Sequence, residues 1–324
     1  LFRSSKHGEA EVVFVSGEAG IGKSRVLKAF ADQHKPKALI LSSDCHPVIR
    51  AIPYQPLVEA LSPVVVTGVR ADQIQGNAET TNSVQFSLSK TWLAELARLL
   101  PDLHTLYPDL PAPLPVRRDE ARGRLFEALG RMILDLASKP QPLLLIIDDL
   151  HWADKATLEW LVYFVYYLHK HESVGSRPYR LMILIAYRKE EEQTLFELRG
   201  SLAKTIGLIE MELPGLHPEA VNALVDTLIS STPKLDAIDR SLLTTWLMQV
   251  TGNNPFFLIE ILRSILEKGA ITGGFRDLTE IPLPNSLRLA VDERVRNLSY
   301  QARQVLEAGA VINGVFDFNL VHQT

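Results

Sequence analysis

The sequence predicts an α/β fold: a parallel β-sheet covered by helices, interrupted by a long helical insertion and followed by an all-helical region. Three observations carry this. Apolar strand-like runs alternate with helical patterns as far as Leu213, a glycine-rich octapeptide separates the first run from the first helix, and after Gly215 only helical patterns remain.

The runs are residues 12–15, 38–41, 143–147, 181–186 and 209–213. The first, Val12, Val13, Phe14 and Val15, is β-branched and aromatic, which suits a buried strand. Residues 17–24 then read GEAGIGKS and fit G-x-x-x-x-G-K-[ST], with Gly17, Gly22, Lys23 and Ser24 in the required places. Residues 25–34 follow with Val26, Leu27, Ala29 and Phe30 at helical spacing. Strand, glycine loop and helix are the context of a phosphate-binding loop. Gly17, Gly20 and Gly22 let the backbone take positive φ and approach an anion, at the positive end of the following helix. The candidate cradle comprises Gly17, Glu18, Ala19, Gly20, Ile21, Gly22, Lys23, Ser24 and Arg25. In it Lys23 reaches the β- and γ-phosphates of a nucleoside triphosphate, and the Ser24 hydroxyl ligates Mg²⁺.

The third run is Leu143, Leu144, Leu145, Ile146 and Ile147, and it ends in Asp148 and Asp149. A carboxylate at the C-terminal edge of a buried strand has the form of a Walker B element, because ligands of open α/β sheets bind at that edge. Asp148 is placed to hold Mg²⁺, directly or through water. Asp149 stands where related ATPases usually keep a glutamate that orients and deprotonates the attacking water, and aspartate is one methylene shorter. The plainer alternative is that the two aspartates end a strand and cap the next helix.

Residues 47–142 form the insertion between the second and third runs. It reads as mostly helical, with Trp92, Leu93, Leu96, Leu99 and Leu100 on one face and Leu125, Leu129, Met132, Ile133 and Leu136 on another. Residues 69–87 are polar, with Gly76, Asn77 and paired threonines, and read as a mobile loop; Pro111, Pro113 and Pro115 mark a second irregular segment. In residues 161–168, Leu161, Phe164, Val165 and Leu168 share the stripe of a core helix.

Beyond Gly215, His217 or a neighbour caps a helix begun by Pro218, with Ala220, Val221, Leu224, Val225 and Leu228 on its buried face. Another starts at the cap residue Asn254 and Pro255, carries Phe257, Leu258, Ile261, Leu262 and Ile265, and stops at Gly269. Two more are expected over 286–298 and 299–311. Residues 316–324 end without a closing signal, which reads as a fragment of a longer protein. The expected domains are 1–215, 216–275 and 276–324.

Composition narrows the function. A length of 324 residues with 46% hydrophobic content supports two or three cores. A net charge of −4 argues against bulk electrostatic binding of nucleic acid. Cys45 is the single cysteine, so no internal disulfide forms, and its neighbour His46 lacks the further ligands of a metal site. A reducing cytoplasm fits, as does the lack of a run of about 18 apolar residues or of a secretory signal.

GEAGIGKSR, DDLHWAD at 148–154, AYRKEE at 186–191 and TGNNPFFLIEIL at 251–262 together resemble the STAND-class P-loop ATPases. The resemblance is to their AAA-like branch, which accompanies bacterial LuxR-type transcriptional regulators, class III adenylate cyclases and Ser/Thr kinases. Pro53, Tyr54, Gln55, Pro56 and Leu57, and RLFEAL at 124–129, fit the same branch, and the likeness covers nearly the whole chain.

The resemblance implies a P-loop NTPase sheet, a helical lid over 216–275 and the start of a winged-helix-like domain over 276–324. It implies that Arg188 is a sensor facing the γ-phosphate, on a strand between those of the P-loop and Walker B. Pro255 would touch the adenine or ribose, although Asn253 stands where the family often has glycine. His151, Trp152 and Asp154 are a family mark whose expected role is structural, with Asp154 as a helix cap. The family's N-terminal Gly-Arg element is not seen, nor are the C-terminal sensor and effector domains.

The implied function is an ATP-binding, slowly hydrolysing switch of a larger regulator, in which ATP with Mg²⁺ favours an open, self-associating form and ADP a closed one. Direct nucleic-acid binding and membrane insertion are not expected of this segment. A second reading is an origin-recognition-like AAA module loaded onto DNA, which calls for a basic recognition face that the sequence does not display. A small-molecule phosphotransferase fits the long insertion poorly.

Overall fold

The computed structural model describes residues 10–73, 86–174, 179–205, 208–230, 240–268 and 298–312, with Arg288, Val291, Asp292, Val295 and Arg296. The chain divides into two compact units, Leu1–Pro214 and Gly215–Thr324.

In the first unit β1 (Glu11–Gly17) leads through the glycine loop into α1 (Lys23–His34) and β2 (Leu39–Asp44). The insertion supplies α2 (Gln55–Gln73), α3 (Lys90–Leu96), α4 (Leu103–Leu106) and α5 (Arg118–Ala137). Then come β3 (Leu143–Asp148), α6 (Lys155–Val174), β4 (Leu181–Arg188), α7 (Phe196–Thr205) and β5 (Ile209–Glu212). The five strands are parallel in the order β2-β3-β4-β1-β5. The three central strands are buried on both faces along most of their length, as their unbroken apolar runs require. The edges differ. β2 ends in Ser42, Ser43 and Asp44, and β5 exposes Glu210, Met211 and Glu212.

Alternate residues feed two cores, which is the period of a strand. Val13, Val15, Leu144, Ile146, Met182, Leu184 and Ala186 pack with Leu27 of α1. On the other face Phe14, Leu41, Leu145, Ile147, Ile183 and Tyr187 pack under the insertion helices and α6. Of the four apolar positions expected to mark α1, only Leu27 is buried and Phe30 half-buried; Val26 and Ala29 are exposed, because the helix meets the sheet along a narrow stripe.

Both apolar faces expected in the insertion are inward-facing, although α3 ends at Leu96 and leaves Leu99 and Leu100 in the turn beyond it. The buried Glu95 ties α3 to α5 by accepting a 2.8 Å bond from Arg124 Nε, while the Arg124 and Arg131 guanidinium groups lie 5.3 and 4.7 Å from the Trp92 ring. Leu161, Phe164, Val165 and Leu168 of α6 are at most 1% exposed. Beside them Trp160 stacks on Phe164 and donates its Nε1–H to the Phe126 carbonyl at 3.3 Å. Helix α2 continues through Gln73, so residues 69–73 of the loop expected over 69–87 are helical, and residues 74–85 lie outside the described residues. Pro111, Pro113 and Pro115 sit in irregular chain. Among the described residues no helix is long and apolar enough to cross a membrane.

The second unit contains α8 (Pro218–Ser230), α9 (Arg240–Thr251), α10 (Pro255–Lys268) and α11 (Tyr300–Ile312). Val221, Val225, Leu243, Leu247, Leu258, Ile261, Leu262 and Ile265 form its core. Ala220, expected on the buried face of α8, is exposed at the helix's first turn, and the Leu228 side chain lies outside the described residues. Asn254 caps α10 by accepting the Phe256 N–H at 3.1 Å. Ahead of it Gly252 and Asn253 take φ of 58° and 63°, and a Cβ on Gly215 would come within 2.8 Å of the Gly252 carbonyl oxygen. Most of the helix expected over 286–298, with Gly269 and residues 313–324, lies outside the described residues.

Candidate functional site

β1 delivers the chain to Gly17 at the C-terminal edge of the sheet. A Cβ there would meet Ile21 Cγ2 at 2.9 Å and the Leu213 carbonyl oxygen at 3.2 Å, so the loop closes tightly only on glycine. Gly20 and Gly22 have φ of 80° and 103°. A Cβ on Gly22 would touch nothing, so the demand for glycine there is conformational. The loop runs into α1, whose first turn holds Lys23, Ser24 and Arg25 with no acidic residue and no side-chain cap. Its first N–H groups and positive dipole end are therefore available to an anion.

Lys23 is buried and curls back over the loop, donating from Nζ to the carbonyls of Gly17 and Glu18, both at 2.9 Å. An ammonium carries three protons, so one remains beyond these two bonds. Burial pulls its pKa down, against the opposing pull of Asp149, Glu190 and Asp148. Ser24 and Arg25 are exposed on the same turn.

The strand order sets β4 between β1 and β3, and Arg188, the last residue of β4, is the register partner of Gly17. Asp148 ends β3 as the register partner of Asp44. Its Oδ1 accepts the Asp149 N–H at 2.9 Å. A groove of about 470 Å³ between α1 and the ends of β2 and β3 is lined by Ser24, Lys28, Asp32, Asp44, Glu59 and Asp148. Ser24 and Asp148 thus offer oxygen donors to one space, a set that suits a hard divalent cation. Asp44 and Glu59 were not read from the sequence. Burial, reinforced by Asp148, raises the Asp44 pKa, and burial, reinforced by Asp44, raises that of Glu59. Asp44 follows its apolar run only after Ser42 and Ser43, so it lacks the direct strand-to-carboxylate junction that marks Asp148.

Asp149 turns the chain out of β3 in the left-handed region, at φ 49°, which aspartate tolerates better than most residues. Burial, then Asp148, raises its pKa, while Arg188 and Lys23 oppose the rise. His151 follows with a side chain that is 0% exposed and Nδ1 3.8 Å from Asp149 Oδ1. Burial, aided by the charges of Arg188, Lys23 and Arg50, lowers its pKa to about 3. Asp154 accepts the Thr157 N–H at 2.9 Å and the Thr157 hydroxyl at 2.5 Å, and so caps α6.

Lys23, Asp148, Asp149 and Arg188 are thus electrostatic neighbours at one edge of the sheet. Glu190 joins them from the AYRKEE run, in which nothing in the sequence assigned it a role of its own. Pro255 lies in the second unit, as the first residue of α10. The left-handed φ of Asn253 before it shows why asparagine can stand where glycine is frequent.

The family model of the AAA ATPase domain matches residues 1–174, more than half of the chain. The peroxide stress-activated histidine kinase mak2 of Schizosaccharomyces pombe is 26% identical over 167 residues, covering 47% of this chain and 7% of the kinase. The chain therefore spans a small fraction of that relative's length. Among solved structures, the Walker-type ATPase of Pyrococcus abyssi shares the fold, with a TM-score of 0.54 and 16% identity over 96% of this chain and 77% of that one. The ORC2 protein of Aeropyrum pernix, solved as ADPNP–ADP complexes, gives 0.49 and 14% over 99% and 77%, a likeness too loose to bear on function. By the family match over its first 174 residues, the chain belongs to the AAA ATPase domain family, nucleotide-binding hydrolases, here built on a parallel five-stranded sheet.

Proposed function

We propose that this AAA module is an ATP-driven switch of the STAND class within a larger signalling protein. The observation that supports it most is the gathering of Lys23, Asp148, Asp149 and Arg188 at the ends of β1, β3 and β4, with Ser24 facing the groove that Asp148 lines. The partial likeness to a stress-activated histidine kinase supports a signalling setting.

In this reading the loop amides and Lys23 hold the β- and γ-phosphates, and Arg188 adds a bidentate contact to the γ-phosphate. Ser24 and Asp148 would hold Mg²⁺, which when bound neutralises charge on the phosphate oxygens. Asp149 takes a proton from water as its oxygen attacks the γ-phosphorus; the bond to the β–γ bridging oxygen breaks, and ADP and phosphate leave. Loss of the γ-phosphate removes the Arg188 contact and so gives the two nucleotides different affinities for the two states. Moving a two-state equilibrium from 1:99 to 99:1 takes about 5.5 kcal/mol, which a few charge-assisted bonds at roughly 1.5–3 kcal/mol each supply. The ATP state is the self-associating one. An arginine supplied in trans is typically worth about 10³–10⁵ in rate for this chemistry, so the lone chain hydrolyses slowly.

The test is chromatography of the nucleotide released when purified protein is denatured, with steady-state turnover measured alongside. Retained ADP in the wild type, its absence in Lys23→Ala and turnover below about one per second are expected. Sustained turnover above about ten per second would replace the switch with a motor-like enzyme.

A further inference from the structure

His151 is a buried polar side chain that the hydrolysis described above does not use. Its imidazole is 0% exposed, and neither Nδ1 nor Nε2 has a hydrogen-bond partner among the described residues. Such a group destabilises the folded chain, whereas a phenyl ring of similar shape would fill the space without that penalty. The ring packs beside Trp152, with centroids 5.2 Å apart, and Nδ1 lies 3.8 Å from Asp149 Oδ1. That distance is about 0.9 Å longer than an ordinary N–H···O hydrogen bond.

The turn between them is fixed by its backbone. The Asp149 carbonyl accepts the Trp152 N–H, and the Leu150 carbonyl accepts the Ala153 N–H, both at 2.9 Å. The Asp149 side chain takes no part in these bonds and is 30% exposed. Rotation about its own torsions can therefore close the gap without disturbing the turn.

We infer that His151 is a positioning residue for Asp149: its Nδ1–H donates to Oδ1 in the hydrolysing state and leaves Oδ2 to face the attacking water. The inference rests on the reading of Asp149 as the hydrolytic carboxylate. Burial keeps the imidazole neutral, so it offers a single N–H to an ionised acid and adds no charge that would discourage proton uptake. An aspartate is shorter than the glutamate usual at this position, and a second contact restores the aim that the missing methylene loosens.

The test compares wild type, His151→Phe, His151→Asn and Asp149→Asn in single-turnover ATP hydrolysis, fluorescent-ATP binding and thermal unfolding. His151→Phe is expected to keep its ATP affinity, to melt at the same or a higher temperature and to hydrolyse about 10- to 100-fold more slowly, the range of one charge-assisted hydrogen bond. His151→Asn, whose amide nitrogen can stand in for Nδ1, is expected to retain most of the rate. A His151→Phe variant that hydrolyses like wild type while Asp149→Asn is inactive overturns the inference and leaves the assignment of Asp149 intact. Wild-type hydrolysis by Asp149→Asn overturns both. Should His151→Phe fail to fold, ¹⁵N-histidine spectra of the wild type decide: ADP with aluminium fluoride is expected to shift one Nδ1–H proton downfield, and an unchanged spectrum rejects the proposal.

Discussion

Lowering the pH from 7.5 to 5.5 should cost the wild-type chain about 1.4 kcal/mol more unfolding free energy than it costs His151→Phe. An unfolded histidine titrates near 6.5, while His151 in the fold is pushed down to about 3 by burial and by Arg188, Lys23 and Arg50. Above pH 6.5 both states are neutral here and the residue is silent. Between the two values the unfolded state binds a proton that the folded state refuses, so stability falls as the pH falls; below the folded value both are protonated and the loss is complete. At pH 5.5 the unfolded imidazole is about ten-to-one protonated and the folded one still neutral, which gives RT ln 11, or about 1.4 kcal/mol. The figure barely changes if the folded value is one unit higher. Urea unfolding followed by far-UV circular dichroism measures it, and subtracting His151→Phe cancels the carboxylates and the other histidines. A difference that stays flat or reverses between pH 7.5 and 5.5 would mean that the ring is charged or wet, and the neutral N–H proposed for it would be lost.

Two further substitutions separate scaffold from chemistry. Asp154→Ala removes the cap of α6 and strands the fully buried Thr157 hydroxyl, for a loss of about 2–4 kcal/mol in the same unfolding assay. Asp154→Asn should lose much less, and a loss under about 0.5 kcal/mol for alanine would contradict the cap. Arg188→Ala should weaken ATP by about 10- to 100-fold while leaving ADP nearly unchanged, read by displacement of a fluorescent nucleotide. Equal losses for the two nucleotides would remove Arg188 from γ-phosphate recognition.

The central strands were legible because burial on both faces leaves an unbroken apolar run, as in Val12–Val15 or Leu143–Ile147. The glycine loop was legible because its two spaced glycines are physically required: a Cβ on Gly17 would crowd Ile21, and Gly22 takes a φ of 103°. Helix α9 was missed: the buried Thr244 and Thr251 dilute its apolar stripe, and neither proline nor an obvious cap announces it. Periodicity also gives a face without its width, which is why Ala220 was expected inside and lies outside, and why Val26 and Ala29 share the helical spacing of Leu27 yet are exposed. At the site, Asp44, Glu59 and Glu190 escaped notice because strand order and helix packing, rather than local sequence, bring them to Asp148 and Lys23.

The claim on which the account stands is that Lys23 and Asp148 serve one polyphosphate. Calorimetric titration of ATP into wild type, Lys23→Ala and Asp148→Asn, each with Mg²⁺ and with EDTA, addresses it directly. The account predicts that wild type gains affinity from the metal, that Lys23→Ala binds poorly in both buffers, and that Asp148→Asn binds metal-free ATP like wild type but loses the metal's increment. Wild-type affinity in Lys23→Ala, or a full metal increment in Asp148→Asn, would contradict it.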